Sequence, residues 1–291
     1  MTENIIQKNQ DILIVVAHYN TFRLSPFFNT WQETIFKCME NFQSYNILFI
    51  DWNSLDGSDK CTEQLCSKLG YYYRKVDNLL FSKEQYFWHY YFKRTLEIIK
   101  EYNYKYVLYV EADTYICGDE KQLTEYSQIL VDNKKIGSVV LNLLFPDGIR
   151  QRIVEKKIDH GYLLPQFQNY RQSYLLNPDT GNQYIDKAER IRGLWNNWDT
   201  KCSLFRISCL YNVIESQEYI DTKTFETRKK SFFSFGRVFN QKYRSSVGEY
   251  LFSFNYGEGS QDNYQKVKNI CEKYKDVKLE NFCPDIYVKM E

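Results

Sequence analysis

The sequence predicts an α/β fold with a mostly parallel central sheet flanked by helices, and two observations carry that expectation. Short unbroken apolar runs recur, among them Ile12-Leu-Ile-Val-Val-Ala17 and Tyr106-Val-Leu-Tyr-Val110, as expected of strands buried on both faces of a parallel sheet. Segments with helix-capping signals separate these runs, and repeated strand-helix units demand crossover connections between parallel strands.

Taken in order, the first strand is Ile12 to Ala17. Ser25-Pro26 supplies an N-cap and a proline at the first helical position, opening a helix to about Phe42. Asn46 to Ile50 is the second strand. Asp56 to Ser58 can cap a helix that stops at Gly70, a residue suited to the left-handed C′ position. Tyr71 to Val76 is the third strand, and Ser82 and Gln85 have capping-box spacing for a helix reaching about Tyr102. The fourth strand, Tyr106 to Val110, is followed by Gly118-Asp119 with Gln122 at the start of a helix to about Asn133. Ile136 to Phe145 reads as one fifth strand.

After Pro146-Asp147-Gly148 the alternation stops. Arg150 to Thr200 is rich in Asn, Gln, Tyr and Asp without sustained period, which predicts long loops or a small antiparallel excursion. Order returns with a strand at Ser203 to Ile207, a helix near Ser208 to Glu215 and another within Glu226 to Asn240. A strand at Glu249 to Tyr256 and a helix to about Tyr274 follow. The expectation is one domain in two halves, 1–145 and 146–291.

Composition narrows the function classes. Hydrophobic residues make up 43% and charged residues 26%, as in globular proteins rather than disordered or fibrous ones. Lys+Arg 38 against Asp+Glu 37 gives a net charge of +1, so no global field favours nucleic acid or an anionic membrane. No apolar run approaches the roughly 18–20 residues of a bilayer span. Met1 to Asp11 is polar and has no signal-peptide core, so a soluble, cytoplasmic protein is expected. The eight cysteines include no CxxC pair and have three histidines beside them; reduced thiols packed as small core residues are expected, not zinc ligands. The 26 Tyr and 20 Phe fit a biased composition or sugar-stacking surfaces, and a bulk count does not choose between them.

In an open parallel sheet ligands bind beyond the carboxyl ends of the strands, and the residues there are polar: Tyr19 and Asn20, Asp51 and Asn53, Glu111 and Asp113. If the strand persists through Glu111-Ala112-Asp113, the period-two pleat puts both carboxylates on one side. Two hard oxygen donors so placed suit Mg²⁺ or Mn²⁺ shared with substrate phosphates. Helix caps and solvated turns produce the same acid pair.

Together, the three strand ends resemble a known family. Ile14-Val-Val-Ala-His-Tyr-Asn20 is similar to the opening strand of GT-A fold glycosyltransferases of the family 2 type. Ile50-Asp-Trp-Asn-Ser-Leu-Asp-Gly-Ser58 resembles that family's second-strand motif, matching at Asp51, Ser54, Asp56 and Gly57. Glu111-Ala-Asp113 stands where the family has Asp-x-Asp. The resemblance extends from Ile12 to about Leu144. It implies a GT-A-like sheet with an irregular acceptor side, a nucleotide-sugar-binding half at 1–145 and an acceptor-binding half at 146–291. Ala17, Tyr19 and Asp51 would contact the base and ribose of a UDP- or GDP-linked donor, with Asn53 beside them, and Glu111 and Asp113 would hold the metal. The family's second Asp in the second-strand motif is Trp52 here, a residue compatible with core packing and with ligand stacking.

Cleaving an anomeric carbon from a nucleoside diphosphate builds negative charge on the leaving group and oxocarbenium character on the sugar. A divalent ion on the diphosphate offsets the first. Transfer with inversion also needs a carboxylate to deprotonate the acceptor hydroxyl. The resemblance implies a base after a short strand and helix, with Ser203 to Ile207 as that strand and Arg206 as its matching Arg. Glu226 is then the candidate base, with Asp221 and Asp199 as rivals. Gly257-Glu-Gly-Ser260 could cradle a phosphate or form a plain turn. Trp195 and Trp198 could stack on an acceptor glycan or anchor the core, whereas His18 and His89 read as core residues. The competing functions are a nucleotidyltransferase acting on a sugar phosphate, which usually needs a glycine-rich loop that Asn20-Thr-Phe-Arg23 lacks, and a non-catalytic glycan- or partner-binding protein.

Overall fold

A computed structural model describes residues 8–21, 29–76, 87–112, 114–143 and 202–216, together with parts of 219–276. The elements are β1 (Ile12–His18), α1 (Asn29–Met39), β2 (Asn46–Asp51), α2 (Ser58–Leu69), β3 (Tyr72–Lys75), α3 (Phe87–Lys100), β4 (Tyr106–Glu111), β5 (Thr114–Ile116), α4 (Glu120–Asp132), β6 (Ile136–Val140), β7 (Asn142–Leu143), β8 (Cys202–Arg206), α5 (Ile207–Ile214), β9 (Arg244–Val247) and β10 (Ser253–Asn255). A 3-10 turn, Glu40–Phe42, extends α1.

The main sheet has seven strands in the order β3-β2-β1-β4-β8-β6-β9. β8 is antiparallel to both of its neighbours, and the other described pairings in this sheet are parallel. The expected mostly parallel sheet is therefore present. Its strands alternate between two cores. Ile12, Ile14 and Val16 pack with α1 and α4 on one face, whereas Leu13, Val15 and Ala17 pack with α3 and α5 on the other. β4 divides likewise, with Leu108 and Val110 on the α1 face and Val107 and Tyr109 on the α3 face. Burial on both faces explains why these strands read as continuous apolar runs.

Local signals act as written in the sequence. Gly70 has φ 70 and ends α2, donating its N–H to the Cys66 carbonyl. Asp119 caps α4 by accepting from Gln122 N at 2.9 Å. Three strands differ from expectation. The stretch expected as one strand from Ile136 divides at Leu141, whose N–H donates to Cys202 O at 3.0 Å. β6 stays in the main sheet, and β7 joins β10 and β5 in a separate three-stranded sheet. β5 and β9 lack apolar alternation, β9 being Arg-Ser-Ser-Val at the sheet edge, and so carry no periodic signal.

The small sheet presses on the turn before α4. Cys117 and Gly118 both donate backbone N–H groups to Phe252 O at 2.9 Å. A Cβ on Gly118 would lie 2.1 Å from Phe252 Cδ2 and 2.7 Å from its Cγ. A rigid ring gripped by the core cannot swing aside, so Gly118→Ala should lower the urea midpoint of unfolding, by about 1–3 kcal/mol of stability. An unchanged midpoint would contradict this close approach.

Candidate active site at the carboxyl ends of the strands

The sheet order makes one position special. From β1 the chain proceeds outward through β2 and β3, then returns to place β4 on the other side of β1. A crevice opens beyond the carboxyl ends where strand order reverses in this way. Ala17 sits at that junction, in register with Ile50 on one side and Glu111 on the other.

The ends of β1 and β2 are stitched together. Asp51 is fully buried, and an isolated buried carboxylate is costly unless donors surround it. Ser54 provides them: its backbone N–H donates to Asp51 Oδ1 at 2.7 Å and its hydroxyl to Oδ2 at 2.6 Å. The same Ser54 oxygen accepts from Asn20 N at 2.8 Å, while the Asn20 side chain accepts from Leu55 N at 2.8 Å. Trp52 N donates to His18 O at 2.8 Å. Asn20 and Asn53 adopt left-handed backbone, φ 46 and φ 62, a region that Asn tolerates better than most residues. Asp56 accepts from both the N–H and the hydroxyl of Ser58, fixing the start of α2.

Within this frame Tyr19 and Asn53 are half-buried and Ala17 is buried. The Tyr91 hydroxyl on α3 hydrogen-bonds the Asn53 side chain, and burial, with Tyr19 nearby, pushes the Tyr91 phenol up to about 12. Trp52 is a core residue. Its ring stacks on Tyr91 with centroids 5.7 Å apart, and its Nε1 donates to Thr95 Oγ1 at 3.0 Å. The features that sequence reasoning overlooked are Tyr91, which holds Asn53, and the clasp in which Asn20 N donates to Ser54 while Leu55 N donates back to the Asn20 side chain. The asparagines directly after two strand ends were its readable signal.

Glu111 is half-buried at the end of β4. Strand alternation places it with Val107 and Tyr109 on the α3 face, whereas Asp51 follows Ile47 and Phe49 on the α1 face. Tyr109 is fully buried, and its phenol is raised by that burial and then by the Glu111 charge. Asp51 and Glu111 thus flank β1 from opposite faces, and Asp51 has no surface exposed to solvent. Asp113, Asp199, Asp221, Glu226, Trp195, Trp198 and the segment Gly257 to Ser260 lie outside the described residues, as does the side chain of His89. Among the described residues no group of three or more His, Cys, Asp or Glu side chains could by itself hold a metal ion.

Arg206 lies away from these strand ends. It is paired with Tyr106 at the opening of β4, at the opposite end of that strand from Glu111. There its guanidinium donates to Leu130 O at the last turn of α4 and lies over the Tyr106 ring, 5.6 Å from the centroid. It secures a helix end, because β8 runs antiparallel to β4 and carries its last residue away from the site.

No family model matches the chain, and no curated protein matches it. Solved structures similar to it include TarS 1–349 from S. aureus in complex with UDP, at 10% identity and TM-score 0.44 over 95% of this chain and 69% of that one. Another is the mannosyltransferase PcManGT from Pyrobaculum calidifontis in complex with GDP-Man and Mn²⁺, at 9% identity and TM-score 0.44 over 94% and 72%. Mannosyl-3-phosphoglycerate synthase from Rubrobacter xylanophilus shows 11% identity and TM-score 0.41 over 96% and 77%. No helix of the described residues is long and apolar enough to cross a membrane.

His18 gives the site a pH signature. Its imidazole is buried with Nδ1 3.2 Å from Asp51 Oδ2. Burial lowers its pKa, and this outweighs the opposing pull of Asp51, so His18 is neutral in the fold. The unfolded chain therefore binds a proton that the native chain refuses as pH falls below the ordinary imidazole value of about 6.5. Stability should decline there by about 1.4 kcal/mol per pH unit until the native imidazole also protonates. Urea midpoints at pH 7.5 and 5.5 should differ less for His18→Gln than for the wild type; equal differences would assign the acid loss elsewhere.

Proposed function

We propose that this chain transfers a sugar from a nucleoside-diphosphate donor to a hydroxyl acceptor with the help of a divalent cation. The observation that carries the reading is the juxtaposition at the switch point: Ala17, the stitched Tyr19–Asn20 and Asn53–Ser54 turns, and the Glu111 carboxylate across one strand register. Tyr19 and Asn53 offer an aromatic ring and an amide to a base and ribose, on a turn that Asp51 fixes from beneath. In this role Asp51 acts through the loop it holds.

Glu111, with Asp113 two residues on, would hold Mg²⁺ or Mn²⁺ on the diphosphate. Two carboxylates are fewer than a closed protein cage requires, and they fit cations that keep part of their coordination for substrate phosphates. The ion would supply Lewis-acid stabilisation of the departing diphosphate. The chain's own task is to orient the donor against its acceptor, since positioning contributes much of the rate in such transfers.

The acceptor, a glycan, is proposed to bind the second half. The main sheet is left at Val140 and re-entered at Cys202, and both points face the carboxyl end of β4 because Val140 pairs with Ser203 and Cys202 with Val110. The chain thus leaves and re-enters the main sheet at the site's edge. Glu226, with Asp221 and Asp199 as rivals, is proposed as the base that takes the acceptor proton.

Thermal unfolding tests the reading. UDP or GDP at about 100 times its dissociation constant should stabilise the native state by about 2.7 kcal/mol, and more with Mn²⁺ than without. Glu111→Gln and Asp113→Asn should each remove the Mn²⁺ increment, and Glu226→Gln should retain it while slowing release of the sugar. A metal increment that survives both of the first two substitutions would refute the assignment.

A further inference from the structure

A second cluster of reactive side chains lies apart from the strand ends. Cys38 on α1, Cys117 after β5 and Cys271 in the helical residues 271–273 come from three distant parts of the chain. The Cys271 thiol is within hydrogen-bonding reach of the Cys117 thiol and also adjoins Cys38. Cys38 instead receives the Ile116 backbone N–H. Cys38 and Cys271 are buried, whereas Cys117 is partly exposed. The Cys117 sulfur also approaches Phe252 O at 3.4 Å. Among the described cysteines no disulfide is present.

We infer that Cys117 and Cys271 form a peroxide-responsive dithiol, a site of reversible oxidation in which Cys117 reacts first and Cys271 closes the disulfide. Oxidation of cysteines follows exposure, and Cys117 is the member of the trio that solvent reaches. Its sulfur attacks the O–O bond of hydrogen peroxide, becoming a sulfenic acid as one water leaves. The Cys271 sulfur then displaces the sulfenic oxygen, which departs as a second water. Two thiol hydrogens and one peroxide give one disulfide and two waters. Burial raises the Cys271 thiol well above its ordinary value and the Cys38 thiol to about 12, which keeps both from reacting with bulk oxidant ahead of Cys117.

The bond would join the C-terminal helical turn to the end of β5, the strand that begins directly after Asp113. It would close a loop of roughly 150 residues, and cross-links over long loops restrict the unfolded chain most. This inference is independent of the glycosyl-transfer reading.

The test is peptide mapping of the whole protein after one equivalent of hydrogen peroxide and alkylation under denaturing, non-reducing conditions. The expected product is a Cys117–Cys271 linked peptide two hydrogens lighter than its parts, retained in Cys38→Ser and absent from Cys117→Ser. The oxidised wild type should also melt about 5 °C or more above the reduced protein. A Cys38–Cys117 peptide as the main product, or Cys117 carried on to sulfinic acid while Cys271 is alkylated, would overturn the proposal. The wild-type map decides the matter even if a variant fails to fold.

Discussion

The candidate site depends on one buried carboxylate. Asp51 ends β2 with no exposed surface, where an unsolvated charge would cost several kcal/mol without close donors. Ser54 satisfies both of its oxygens, which forces the chain to double back within three residues. Asn53 then takes left-handed backbone, and Ser54 is delivered to the Asn20 amide. A local electrostatic requirement thereby fixes the relation between two strand ends separated by a helix in sequence.

The other half of the site is set by strand register. Parallel pairing of β1 with β4 brings Glu111 beside Ala17, and the pleat turns Glu111 toward the α3 face together with Tyr109. A nucleotide bound at the switch point would meet a rigid polar turn on one side and a carboxylate on the other. Rigid backbone at the turn reduces the ordering that binding must supply.

Much of this was legible in the sequence because the signals were local. Ile12 to Ala17 and Tyr106 to Val110 could be read as buried strands from apolar continuity, and Gly70 and Asp119 as helix boundaries from single-residue chemistry. β5 and β9 were not legible, since three- and four-residue strands held by Phe254 and Ser246 pairings leave no period to detect. The position of Arg206 was not legible either, because strand direction is a tertiary property: the sequence marks a strand at that point, and antiparallel pairing with β4 sends its end away from the site. The thiol cluster escaped spacing arguments for the same reason, as Cys38, Cys117 and Cys271 meet only through the fold. The position of Trp52, open between core and ligand in the sequence, is decided by its stack on Tyr91 and its bond to Thr95.

The central claim is spatial: the cation and the donor diphosphate sit together beyond the β1–β4 junction. Anomalous diffraction from a crystal grown with Mn²⁺ and UDP or GDP tests it most directly. The account predicts a manganese peak coordinated by Glu111, with the nucleotide base lying against Tyr19 and Asn53. Manganese and nucleotide bound together at any other place on the molecule would contradict it.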